Sequence, residues 1–206
     1  MHFVECANLS SMKHLRSTNS SNMNQYIFGY GSLMNSASRR LTGQTSAARP
    51  AVAHGLCRYW GKVDESYILA PLVVTQGEGL INGVLLQVDD GQLVEFDRRE
   101  RGYQRIQIGH QDIDCQHPLS ETDRIWIYVT EQATPPCELS PIVQTYVDTV
   151  LAGCLEISEQ FAEQFIQHTI GWHHPLENDR HQPKYGNLAG VTAESRQIID
   201  KLLATR

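Results

Sequence analysis

The chain lacks a long apolar run. No stretch approaches the roughly 18 consecutive apolar residues of a membrane-spanning helix, so a membrane partner is not expected. It also lacks a strong charge bias. Seventeen basic and 23 acidic residues give a net charge of −6, and neither sign gathers in a block. Nucleic acid needs a basic face and is not expected as a partner. Cysteine is sparse: the five, at positions 6, 57, 115, 137 and 154, are widely spread and form no CxxC pair. That pattern predicts reduced thiols and a cytoplasmic setting over a disulfide framework. The third glycine of a dinucleotide fingerprint and the lysine of a phosphate loop are both missing, so no nucleotide cofactor is expected.

What remains is a chain of 206 residues, 41% hydrophobic, enough for one domain with a real core. Residues 1–24 are rich in Ser, Asn and Met without periodicity. They are expected to be a disordered tail, or to precede a start near Met23, and they carry no apolar core of a secretory signal. The stretch Gln25–Met34 (QYIFGYGSLM) organises the rest of the chain. Tyr26-Ile27-Phe28 begins as a strand and breaks at Gly29-Tyr30-Gly31-Ser32. Two glycines astride a tyrosine allow a tight bend that presents successive N–H groups to a ligand. Asn35 and Ser36 are helix N-cap residues. The result is strand, amide-rich loop and helix start, a geometry suited to a carboxylate or an oxyanion.

Downstream, strands are expected over Ala47–Gly61, Tyr67–Thr75 (with Pro71 marking an edge or a bulge), Gly79–Val88, Tyr103–Ile108 and Arg124–Val129. Asp89 and Asp90 are positioned to cap a helix running to about Arg101. Ser140-Pro141 predicts a helix start, with Ile142, Tyr146, Val150 and Cys154 on one apolar face and Gly153 near its end. Ser158 predicts a cap for a helix over Glu159–Thr169. An irregular tail spans Gly171–Gly190, and Ala193–Ala204 forms a last helix. Without regular βα alternation, this points to an α+β domain over 25–157, with a small, mixed, barrel-like sheet and flanking helices. A helical extension over 158–206 is expected to pack on it.

The most informative single residue is Glu100. Leu93, Phe96, Asp97 and Glu100 share one helical face. Leu93 and Phe96 must face the core, so Glu100 is carried inward at the helix end. Low polarity and the unfavourable dipole raise a carboxyl pKa there, which suits a proton shuttle. The other role open to Glu100 is an ion pair with a neighbouring arginine that closes the helix; Asp97 has the same two. Tyr103, Tyr128 and Tyr146 are candidates to line a site or to serve the core. Histidines 168, 173, 174 and 181 fit no compact ligand set, so no metal is expected. Ser32 lies in no nucleophile elbow, and a hydrolase triad is not expected.

Together these residues resemble the gamma-glutamylcyclotransferase family. Phe28-Gly29-Tyr30-Gly31-Ser32-Leu33 is similar to its substrate loop, near the glutathione-degrading branch. Asp97-Arg98-Arg99-Glu100-Arg101-Gly102-Tyr103 is similar to the segment carrying its catalytic glutamate. The order Tyr128, Pro135-Pro136, Ser140-Pro141, Tyr146 and Gly153 matches the family's later course. The similarity covers about Tyr26–Gly153. Leu33 and Met34 stand where many members have Asn after the loop serine, and Arg101 separates the glutamate from Gly102. The resemblance implies a small mixed barrel with flanking helices. It implies cyclisation of a gamma-glutamyl compound to 5-oxoproline with release of an amine, amino acid or peptide. Glu100 would be the acid/base, Phe28, Gly29, Tyr30, Gly31, Ser32, Leu33, Tyr103 and Tyr146 would bind substrate, and neither metal nor cofactor is required. A non-catalytic binder of a small acidic metabolite or a protein partner on the same fold is the alternative. In the tail, Asp179-Arg180, Pro183 and Tyr185 either fold over the cleft and restrict the leaving group or serve packing.

Overall fold

The computed structural model describes residues 23–44 and 46–206. The expectation for residues 1–24 falls almost wholly outside the described residues. A seven-stranded mixed sheet forms the centre, with strands β1 (Gln25–Gly29), β2 (Ala48–Trp60), β3 (Leu72–Val88), β4 (Gln104–Ile108), β5 (Ile113–Cys115), β6 (Arg124–Val129) and, further on, β8 (Thr169–Ile170). Their order is β4-β6-β1-β3-β2-β5, with β8 also pairing to β2. The β1–β6 and β2–β8 pairs are parallel and the others antiparallel. The sheet does not close. It curls enough that Ile108 of β4 and Ile113 of β5, at opposite edges, share one apolar cluster with Phe28, Leu85 and Ile127. The α+β architecture is as expected, and the barrel is open.

The other sheet face carries the helices α3 (Gln144–Leu155), α4 (Glu159–Gln167) and α5 (Ala193–Ala204) over a core that includes Trp60, Leu72, Val84, Val147 and Phe165. Helix α1 (Ser36–Leu41) comes after the loop that ends β1; the Asn35 side chain accepts from the Ser38 amide at 2.9 Å, as its cap position predicts. Helix α2 (Asp90–Arg99) starts in a capping box between Asp89 and Gln92 and buries Leu93 and Phe96 against Ile27 and Tyr128.

Several expectations are corrected. Tyr67–Thr75 and Gly79–Val88 are not two strands. Leu72 to Val88 is one 17-residue strand, in which Gly77 and Gly79 pack against Cys57 where β2 bulges at Gly55 instead of turning the chain. Tyr67–Pro71 is loop. Helix α2 stops at Arg99, leaving Glu100 as its C-cap. No helix starts at Ser140-Pro141: Ile142–Val143 form β7, paired in parallel with β9 (Leu176–Glu177) from the irregular tail, and α3 begins at Gln144. The Ser140 hydroxyl is committed to the Tyr67 carbonyl at 2.6 Å and does not cap. Helix α3 is also buried nearly all round, not on one face. Finally, Thr169 leaves α4 to pair with β2.

Close approach of α3 to the loop depends on Gly153. A Cβ there would lie 2.4 Å from the Asn35 nitrogen and 2.6 Å from the Met34 carbonyl carbon, both backbone atoms. We expect Gly153→Ala to destabilise the fold by about 1–3 kcal/mol. A thermal melt checks this: an unchanged midpoint would mean that the helix yields freely at this contact.

Candidate active site

The bend after β1 is shaped by its own backbone and braced from outside. Met34 and Asn35 amides close a 3₁₀ turn onto the Gly31 and Ser32 carbonyls at 2.9 and 3.1 Å. Two buried arginines hold the carbonyls at its two ends. Arg39 donates to the carbonyls of Leu33 and Met34 at 2.6 and 3.0 Å, and Arg58 donates to that of Tyr30 at 3.3 Å. The Tyr30 hydroxyl donates to the Tyr128 carbonyl at 2.8 Å.

Glu100 arrives from the C-terminal end of α2. Its amide donates to the Phe96 carbonyl at 2.9 Å, and its carbonyl accepts from Tyr103 at 3.1 Å. It lines the same cavity, of about 230 Å³, as Phe28, Gly29, Tyr30, Gly31, Ser32, Leu33, Tyr103 and Tyr146. The structure thus brings together every residue expected at the site. Burial pushes the Glu100 carboxyl above the ordinary range, and the Arg99 charge opposes this in part. Among the described residues Glu100 makes no salt bridge. Arg98 pairs with Glu95 at 2.8 Å, and Arg99 lies over the Phe96 ring, 4.6 Å from its centroid. Asp97 is structural, though its partners are not the adjacent arginines: it accepts from the Tyr128 hydroxyl at 2.8 Å and lies 3.4 Å from Arg105.

Phenols dominate the remaining polar lining. Burial pushes Tyr30, Tyr103, Tyr128 and Tyr146 well up, so all four stay neutral near pH 7. The Tyr146 hydroxyl meets the bend directly. A Cβ on Gly31 would lie 2.9 Å from it, and backbone hydrogen bonds at Ser32 and Leu72 partly offset the rise in its pKa.

The site also holds residues not expected from the sequence: Ile27, Tyr67, Pro71, Leu72 and Phe96. Tyr128 and Tyr185, open candidates there, line it as well. Tyr185 is the tail's contribution, a half-buried ring edge-on to Tyr146 with centroids 4.7 Å apart. It is held by its neighbours. Asp179, buried, accepts from the Thr145 amide and hydroxyl and the Lys184 amide, capping α3 from 34 residues away. Arg180 forks onto Asp148 of α3, with both contacts at 2.8 Å, and onto Asp200 of α5. No local signal separates Tyr67, Pro71 or Leu72 from ordinary loop and strand residues. Among the described residues no group of three or more metal-capable side chains comes together, and no helix is long and apolar enough to cross a membrane.

A half-buried acid and a glycine-containing bend line one small cavity on an open mixed sheet. The chain belongs to a family described as gamma-glutamyl cyclotransferase, AIG2-like, whose model matches residues 27–145. No curated protein matches it. Among solved structures it is similar to one titled gamma-glutamyl cyclotransferase, at 17% identity and a TM-score of 0.54, covering 86% of this chain and 99% of that one. An uncharacterized protein from Homo sapiens gives 17% identity and a TM-score of 0.55, covering 87% and 99%. YkqA from Bacillus subtilis gives 19% and 0.56, covering 76% and 57%. At these identities the similarities speak for the fold.

Proposed function

We propose that the protein cyclises a gamma-glutamyl compound to 5-oxoproline and releases an amine, amino acid or peptide. The observation that carries this reading is the meeting of a half-buried Glu100, without a salt bridge among the described residues, with the Tyr30–Leu33 bend in one cavity. The substrate's α-amine nitrogen attacks its own γ-carbonyl carbon and closes a five-membered ring. The bond from that carbon to the leaving nitrogen breaks. Glu100 takes one proton from the ammonium so that the nitrogen can attack, and gives it to the leaving nitrogen as that bond breaks. The second proton shed by the attacking nitrogen on forming the lactam ends on the released amine, which departs as an ammonium, so Glu100 ends in its starting state. Confining the glutamyl chain in a folded shape supplies much of the acceleration. Amides of the bend stabilise negative charge. A carboxyl lifted by burial is a stronger base than an ordinary one and a usable acid at the next step.

Product analysis by mass spectrometry decides the reaction. After incubation with glutathione, gamma-glutamyl dipeptides and gamma-glutamyl amines, 5-oxoproline is expected. Free glutamate would identify a hydrolase, and no product with any of them would identify a binding protein.

The cavity is below the range usual for drug-sized ligands. Tyr185, which lines it beside Tyr146, is the residue we propose to restrict the leaving group by size. Tyr185→Ala is expected to raise kcat/KM for bulky leaving groups about tenfold relative to small ones. Equal changes across a series of gamma-glutamyl amides of increasing size would remove Tyr185 from this role.

A further inference from the structure

We propose that Arg58 is a positioning residue whose charge, held behind the Tyr30–Gly31 peptide, makes the bend a receptor for the carboxylate of the glutamyl group. The proposal rests on the gamma-glutamyl substrate class of the proposed function.

Arg58 projects from β2 and is fully buried. All five of its N–H groups are used, and every acceptor is neutral. Nε donates to the Thr169 hydroxyl at 2.8 Å. One terminal nitrogen donates to the carbonyls of Tyr30 and Asn82 at 3.3 and 2.7 Å. The other donates to the Asn82 side chain at 2.8 Å and the Phe165 carbonyl at 3.3 Å. The Phe165 ring lies beneath the guanidinium at 3.9 Å. Among the described residues no carboxylate forms a salt bridge with it. Arg39, the other brace of the loop, differs in having Glu156 near it.

A buried guanidinium with satisfied hydrogen bonds and no counter-charge is an expensive structural element. Its position gives that expense a use. None of the residues lining the cavity is Lys or Arg, while Glu100 is acidic. A substrate bearing a carboxylate needs positive potential there, and Arg58 is one residue deep behind the wall. In a planar trans peptide the carbonyl and the following N–H point opposite ways. Drawing the Tyr30 carbonyl toward Arg58 therefore turns the Gly31 N–H away from it, and Gly31 lines the cavity. The guanidinium polarises that peptide and strengthens its N–H as a donor to an anion. Burial lowers the Arg58 pKa to about 9, so the charge persists at neutral pH.

The test uses two ligands that differ only in the carboxylate: 5-oxoproline and 2-pyrrolidinone. By calorimetry the wild-type protein is expected to prefer 5-oxoproline. Arg58→Met should cut that preference about tenfold, the scale of one charge-assisted hydrogen bond, and Arg58→Lys should restore part of it. The same preference in wild type and Arg58→Met, or none in wild type, overturns the proposal, because a purely structural Arg58 would weaken both ligands alike. Should Arg58→Met fail to fold, the wild-type protein still decides. Its Gly31 amide resonance must shift markedly more with 5-oxoproline than with 2-pyrrolidinone, and equal shifts overturn the proposal. Product analysis tests the reaction separately. A protein that prefers 5-oxoproline through Arg58 yet forms none keeps this inference and loses the proposed reaction; turnover with an unaltered preference does the reverse.

Discussion

Glu100→Gln is expected to reduce 5-oxoproline formation by about 10²–10⁴-fold, the range for a positioned acid/base, while substrate affinity changes little. The amide keeps the shape of the carboxyl but neither accepts nor returns a proton. The same variant carries a second, independent readout. Burial raises the Glu100 carboxyl pKa, so the folded state holds its proton more tightly than the unfolded state does. Ionising it at neutral pH therefore opposes folding, and this penalty vanishes as pH falls below the ordinary carboxylate range. The Gln variant should be at least as stable as wild type at pH 7, and the difference should shrink on acidification. If Glu100 instead closed the helix by pairing with an arginine, the Gln variant would be less stable at pH 7. Activity surviving the change would remove Glu100 from the chemistry.

Glu100 can be singled out from the sequence because it is placed so locally. The Asp89–Gln92 capping box fixes where α2 starts, and the spacing of Leu93 and Phe96 fixes which face turns inward. Glu100 then falls one turn beyond Phe96, and its amide bonds to that residue's carbonyl. The bend is local in the same sense, since two glycines and Asn35 set it within ten residues. The rest of the site is assembled by topology. Arg58 reaches Tyr30 only because β3 lies between β1 and β2 in the sheet, and its remaining contacts come from Asn82, Phe165 and Thr169. Ser140-Pro141 has the form of a helix start, yet the Ser140 hydroxyl serves a carbonyl 73 residues away. Helix α3 takes its N-terminal partner from Asp179 instead. Neither exchange leaves a periodic or compositional trace. The tail looks irregular in composition because two charged side chains, Asp179 and Arg180, tie it down alongside the β9 pairing and the Trp172 and Tyr185 rings, and these anchors follow no period.

Of those two side chains, Arg180 gives the other large expected effect, in stability. Asp148 is fully buried in α3 and is met by the Arg180 fork, whose side chain is 18% exposed. Arg180→Met would leave that carboxylate with the neutral Gln144 amide, which donates at 2.8 Å, and with Arg196, whose Nε lies 3.9 Å away, as its nearest charge. Removing one partner of a buried pair typically costs about 3–5 kcal/mol, or a fall of roughly 6–20 °C in Tm for a chain of this size. Replacing both partners, as in Arg180→Met with Asp148→Leu, should recover most of the loss, because no uncompensated charge then remains inside. Arg180 also holds the Asp200 carboxyl of α5 below its usual range. That contribution is present above the ordinary carboxylate pKa and is lost as pH falls through the depressed one, opposite in sign to Glu100. Because Tyr185 lies five residues after Arg180 in the segment that this fork pins, the single variant should also reproduce the relaxed leaving-group selectivity expected of Tyr185→Ala, measured below its lowered melting temperature. A single variant that melts like wild type would show that Asp148 does not depend on the tail. One that melts early but keeps wild-type selectivity would show that Tyr185 is held by its packing on Tyr146 and not by the arginine.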